Sequence, residues 1–137
     1  MPDLVDEDAN FRGLKLVMEG ANKAVLADPR IFKALRELAK YDKRRWGELE
    51  KMMSRYCAGH PLTDEQWNSE GRHRTGTGKE IGLHAFKPWQ FRLYGFERDV
   101  GGKRCFVATG VDPDKKTNRA DQEILRSAAK RAAPYID

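Results

Sequence analysis

Arg92 and Tyr94 are the residues whose types and spacing first suggest chemistry. They stand two apart in the alternating run 91–94, and residues two apart on a strand share a face. His84 and Phe86 hold the same relation in the run before, which Lys87 closes. Arg104 opens the run after, and Lys115 and Lys116 follow it. Cations placed in this way stabilise the charge that builds on a phosphate in a transition state. A lysine, histidine or tyrosine with a shifted pKa can exchange protons with the reacting groups. The 2′-hydroxyl of RNA can attack its own 3′-phosphate, so a set of this kind can cut RNA without an external nucleophile or a metal. The plainer reading is a group of ordinary exposed charges on an open sheet face, and spacing alone does not reject it.

Other chemistries find less support. His60, His73 and His84 fall in a helix-exit turn, a loop and a strand, without the local spacing of metal ligands, so no metal or other cofactor is expected. Ser54, Ser69 and Ser127 have no nucleophile elbow around them. Residues 68–79 combine three glycines with Arg72, His73 and Arg74. They do not make a phosphate loop of the Walker type, because Glu80 follows Gly78-Lys79 and His73 stands where the first glycine is needed. A flexible basic loop is expected instead, able to touch a phosphate backbone through Arg72, His73 or Arg74. Cys57 and Cys105 lie far apart with no CxxC, which predicts free thiols in a reducing compartment.

The elements that must position these residues are legible in outline. Three short runs, 81–86, 91–94 and 105–108, alternate with period two and carry aromatic or β-branched residues. Lys87-Pro88-Trp89 and Asp99-Val100-Gly101-Gly102 separate them, and connections this short join antiparallel neighbours. A three-stranded meander is predicted. Before it, Asp28-Pro29 opens a helix, with Ile31, Leu35 and Leu38 and then Trp46, Leu49, Met53 and Tyr56 at helical spacing. The polar stretch 41–45 leaves open whether this is one helix or two that meet near residue 42. Gly59 and Pro61 end it, and residues 63–66 have capping-box spacing for one short turn. The apolar run 11–18 fits a first strand at a sheet edge or the start of a helix, and the strand is the preferred reading. After the meander, Thr117 or Asn118 is expected to cap a last helix, with Ile124, Leu125, Ala128, Ala129 and Ala132 as its apolar stripe and Pro134 as its stop. The fold class predicted is α+β: N-terminal helices packed on a small antiparallel sheet, with a C-terminal helix.

The chain has 137 residues, enough for one domain, with 34% charged and 39% hydrophobic residues. Its net charge of +5 is uneven: residues 29–60 carry nine Lys and Arg against four Asp and Glu, and the first ten are acidic and expected to be frayed. A basic balance fits an acidic partner such as nucleic acid, or only a solvated basic surface. No apolar run is long enough to span a bilayer, and acids stand where a signal peptide needs Lys or Arg, so a cytoplasmic location is expected.

The order of elements, with the run Ala85-Phe86-Lys87, the run 90–95, the run 105–108 and Lys115-Lys116-Thr117-Asn118-Arg119-Ala120 opening a final helix, resembles the RelE/HigB toxin superfamily, in particular its phage-derived HigB-like branch. The resemblance covers residues 80–135, with the preceding helices in outline. It implies a single RelE-like domain over residues 1–137. It also implies a toxin of a type II toxin–antitoxin system, a metal-independent mRNA endoribonuclease acting on translating ribosomes and silenced by a cognate antitoxin. By position, Arg92 resembles the family's strand arginine that faces RNA, and Lys115 and Lys116 its lysine pair before the last helix. Tyr135 is the one tyrosine near the end of the terminal helix, where the family often carries a catalytic His or Tyr. The alternative is a non-catalytic protein of the same fold, inhibiting gyrase as ParE-like members do or binding nucleic acid for a phage or mobile element.

Overall fold

The computed structural model describes residues 4–114 and 120–136. Along them run β1 (Lys15–Glu19), β2 (Lys23–Ala27), α1 (Pro29–Tyr41), α2 (Lys43–Ala58), β3 (Trp67–Arg74), β4 (Glu80–Phe86), β5 (Arg92–Val100), β6 (Lys103–Asp112) and α3 (Gln122–Ala132), followed by a 3-10 turn, Ala133–Tyr135. The six strands form one sheet in the order β1-β2-β6-β5-β4-β3. Neighbours are antiparallel except β2 and β6, which run parallel. The expected fold class is therefore corrected. The sheet is mixed rather than small and antiparallel, a β-hairpin precedes the first helix, and helices cover both faces.

The parallel pairing follows from connectivity. Parallel neighbours need a long crossover, and here α1, α2 and β3 to β5 all lie between β2 and β6. Alternation along the central strands divides the core in two. Val25, Ala27, Phe86, Leu93, Phe106 and Ala108 pack under α1 and α2, while Ala24, Leu26, Leu83, Tyr94, Phe96 and Val107 pack under α3.

Local chemistry sets the ends of the helices. The Asp28 carboxylate accepts from the Arg30 N–H at 2.9 Å, with Pro29 in the first turn of α1. Asp42 then closes α1 and caps α2, accepting from the Arg45 N–H at 3.1 Å. The basic segment thus forms two helices that meet at Asp42, not one. Gly59, at φ 79°, takes the left-handed position that ends α2. Asp121 caps α3, accepting from the N–H groups of Glu123 and Ile124. The caps expected there, Thr117 and Asn118, lie outside the described residues. Gly110 lets α3 approach β6 closely, because a Cβ on it would stand 2.7 Å from the Ala128 Cβ.

The meander is present and longer than predicted, and Gly101 and Gly102, both at positive φ, close the two-residue turn between β5 and β6. The first strand lies at a sheet edge, as read from residues 11–18. Two further strands went unpredicted. β2 follows the first, and residues 67–74, read largely as a loop, form edge strand β3 with a bulge between Ser69 and Arg72. Of the acidic N-terminus, Asp6 and Asp8 each lie 2.8 Å from the Lys15 ammonium, and Asp8 bridges to Lys15.

Candidate functional site

At one end of the sheet β4 stops, β5 starts, β6 stops and α2 begins; it is called here the turn end. The connection from β4 to β5 bends through Pro88, Trp89 and Gln90, and the Phe91 N–H donates to the Pro88 carbonyl at 3.2 Å. Gln90 sits at φ 51°, a left-handed conformation uncommon for a residue with a side chain. Trp89 stands on this turn with 53% of its surface exposed. Its N–H donates to a Glu48 carboxylate oxygen at 2.9 Å. The guanidinium carbons of Arg44 and Arg45 lie 5.5 and 5.3 Å from its ring centre, within cation–π range.

Arg92 begins β5 beside this turn. It is half-buried, and its Nη1 donates to the carbonyls of Pro88 at 3.1 Å and Phe91 at 2.8 Å. Phe91 and Leu93 on either side of it are buried under α1 and α2, so Arg92 turns to the other face, as its place between them predicts. It lies opposite Asp112 on β6, the strand whose exit leads to Lys115 and Lys116. Those two lysines lie outside the described residues. Arg45 donates to the Pro113 carbonyl at 2.8 Å, joining the start of α2 to the same exit.

Of the remaining predicted site residues among those described, Lys87 alone reaches this end. Tyr94 shares the face of Arg92 but is fully buried beneath α3, and burial raises its phenol pKa far above neutrality. Its hydroxyl has no hydrogen-bond partner among the described residues. A buried neutral phenol is no proton acceptor for RNA. His84 faces the opposite side, where it stacks on Trp67 with centroids 5.0 Å apart, and its Nδ1 is buried without a partner among the described residues. Lys87 is at the turn end, with its ammonium 3.2 Å from the Asp64 carbonyl.

Arg104 lies at the other end of the sheet, called here the hairpin end, 3.3 Å from Asp99. Arg72, His73 and Arg74 lie on edge strand β3 rather than in a flexible loop. Arg72 is 3.6 Å from Glu80, and the His73 Nε2 lies 2.7 Å from the Glu70 carbonyl oxygen.

Two hydrogen-bonded pairs escaped the sequence reading. Tyr56 donates to Glu97 at 2.6 Å beside an open cleft of about 320 Å³, and the Lys23 ammonium lies 4.7 Å from the Tyr56 ring centre. The Tyr135 hydroxyl donates to Asp28 at 2.6 Å in the interior. Burial and that carboxylate raise the Tyr135 pKa, so this tyrosine locks the C-terminus to the cap of α1 rather than reaching a substrate. No sequence signal joins residues this far apart. Trp89, Arg44 and Arg45 were also missed as a group, although a tryptophan in a turn and a run of three cations were both visible.

Among the described residues no three of His, Cys, Asp and Glu come together as a metal site would require, and no helix is long and apolar enough to cross a membrane. No protein-family model matches this chain, and neither a curated protein nor a solved structure matches it.

Proposed function

We propose that this protein is an mRNA endoribonuclease and the toxin of a type II toxin–antitoxin pair, working in the manner of the RelE/HigB toxins and in the cytoplasm. The observation that carries the reading is the position of Arg92. It is a half-buried guanidinium fixed through one nitrogen at the end of the sheet, directly across from the strand that leads to Lys115 and Lys116.

In this reading the RNA 2′-hydroxyl attacks the adjacent phosphorus, the bond to the 5′-oxygen breaks, and the products are a 2′,3′-cyclic phosphate and a 5′-hydroxyl. Arg92 holds the equatorial oxygens as negative charge builds on them, a task suited to a fork of N–H donors. The proton leaving the 2′-hydroxyl and the one reaching the 5′-oxygen fall to Lys115 and Lys116, because Tyr94 is buried and His84 faces away. The partners are mRNA, the translating ribosome and a cognate antitoxin.

The test is induction of the chain alone in bacteria, with transcripts mapped by primer extension and plasmid supercoiling followed in the same cultures. Growth arrest with new mRNA 5′ ends, relieved by the adjacent gene product, is the expected result. Arrest with intact mRNA and altered supercoiling replaces the ribonuclease with a gyrase inhibitor. Unimpaired growth at confirmed soluble expression contradicts both.

A further inference from the structure

We infer that Trp89, with Arg44 and Arg45, is a stacking platform for an unpaired base of the RNA strand, placed to deliver the neighbouring phosphate to Arg92. The inference rests on the RNA reading above and adds a binding element that neither motif nor resemblance supplied. Three observations carry it.

The first is that Trp89 is exposed and yet held. Of the three tryptophans, Trp46 is buried and Trp67 half-buried against other rings, whereas 53% of Trp89 is open to solvent. Its backbone is fixed by Glu48, and two guanidinium groups lie within cation–π range of its ring. The turn that presents it includes a left-handed Gln90, a conformation that costs energy and persists where surrounding contacts impose it. An open indole fixed in place offers a base a π-surface that needs little ordering on binding.

The second is the composition of the first turn of α2. Lys43, Arg44 and Arg45 occupy it and no acid does. The positive end of the helix dipole favours anions, so three cations there work against the helix by itself. Asp42 at the cap and Glu48 beside Trp89 offset part of this charge, and the three cations still leave a net positive balance suited to a phosphate backbone.

The third is the linkage of the parts. Arg92 donates to the carbonyl of Pro88, the residue before Trp89, while Arg45 donates to the carbonyl of Pro113, just past the residue facing Arg92. Platform and Arg92 therefore share one turn and one strand exit. A base in a duplex keeps its faces covered by its neighbours, so the ligand is single-stranded.

The experiment titrates the full chain with an end-labelled single-stranded adenosine decamer, following the anisotropy of the label for affinity and tryptophan emission for stacking, with a blunt RNA duplex of equal length as control. Wild type is expected to show quenching and to prefer the single strand. Trp89→Ala should weaken binding about tenfold, with Trp89→Phe recovering part of the loss and melting temperatures unchanged. Equal affinity of Trp89→Ala and wild type, no binding by wild type, or equal binding of the duplex overturns the platform. Primer extension on the same variants separates the two proposals. Wild-type cutting with a silent Trp89→Ala removes the platform alone, and Trp89-dependent binding without any cutting removes the nuclease alone.

Discussion

The two ends of the sheet carry similar charges and use them differently. At the hairpin end acids face the side chains of cations: Glu19 lies 3.1 Å from Lys103, and Asp99 3.3 Å from Arg104. At the turn end acids serve the backbone instead. Asp42 accepts from the Arg45 N–H, Glu48 from the Trp89 N–H, and Asp112 from the Asp114 N–H. Arg45 does lie 3.4 Å from Asp42 as well, but Arg44 and Arg45 are both gathered around an exposed indole. A cation is therefore informative by what its neighbouring acids are doing, and residue type alone does not separate Arg92 from Arg104.

The largest expected effect breaks the comparison directly. Arg92→Ala should lower mRNA cutting on the order of a hundredfold or more, the usual loss when a donor to a developing oxyanion is removed. Arg104→Ala, in the same assay at matched protein levels, should cut within about twofold of wild type, because an exposed ion pair contributes at most about 1 kcal/mol to stability and nothing to the site. Equal losses in both variants would erase the distinction between the two ends.

Stability effects come next and belong to neither end. Tyr135→Phe leaves the buried Asp28 oxygen without its donor, at a cost of about 1–3 kcal/mol, read as a lower melting temperature. Cutting by the folded fraction should be unchanged, and a specific loss of cutting would instead make Tyr135 part of the site. Gly110→Ala places a methyl against Ala128 and should cost about 1–3 kcal/mol, measured by denaturant unfolding. The last effect touches neither cutting nor stability and concerns Cys57, whose thiol burial pushes up to about 11. Its alkylation at pH 8 should run on the order of a hundredfold slower than that of a free thiol, and become fast on unfolding.

How much of this was legible follows from the physics of each segment. The meander was, because its strands alternate and glycine marks its tight turn. β2 was not, since buried Ala24, Val25, Leu26 and Ala27 form a short continuous apolar run, as a strand covered on both faces does, with no period to read. β3 was hidden for the opposite reason: an edge strand of polar residues around Gly71 resembles a loop. Within the site, Arg92 was legible because Phe91 and Leu93 announced its face. His84 was misplaced because period two reveals that two residues share a face but not which helix covers it. Trp89 and Arg44 converge from positions far apart in sequence, and only the packing of α2 on the sheet joins them.

The central claim is that RNA meets the turn end. Indole N–H resonances test it most directly, since Trp89 stands at that end while Trp46 is buried and Trp67 lies with Tyr56 and His84. On titration with a single-stranded RNA decamer, the Trp89 indole signal is predicted to shift progressively while those of Trp46 and Trp67 hold still. Movement of the Trp67 signal with a stationary Trp89 would place the nucleic acid elsewhere and contradict the account.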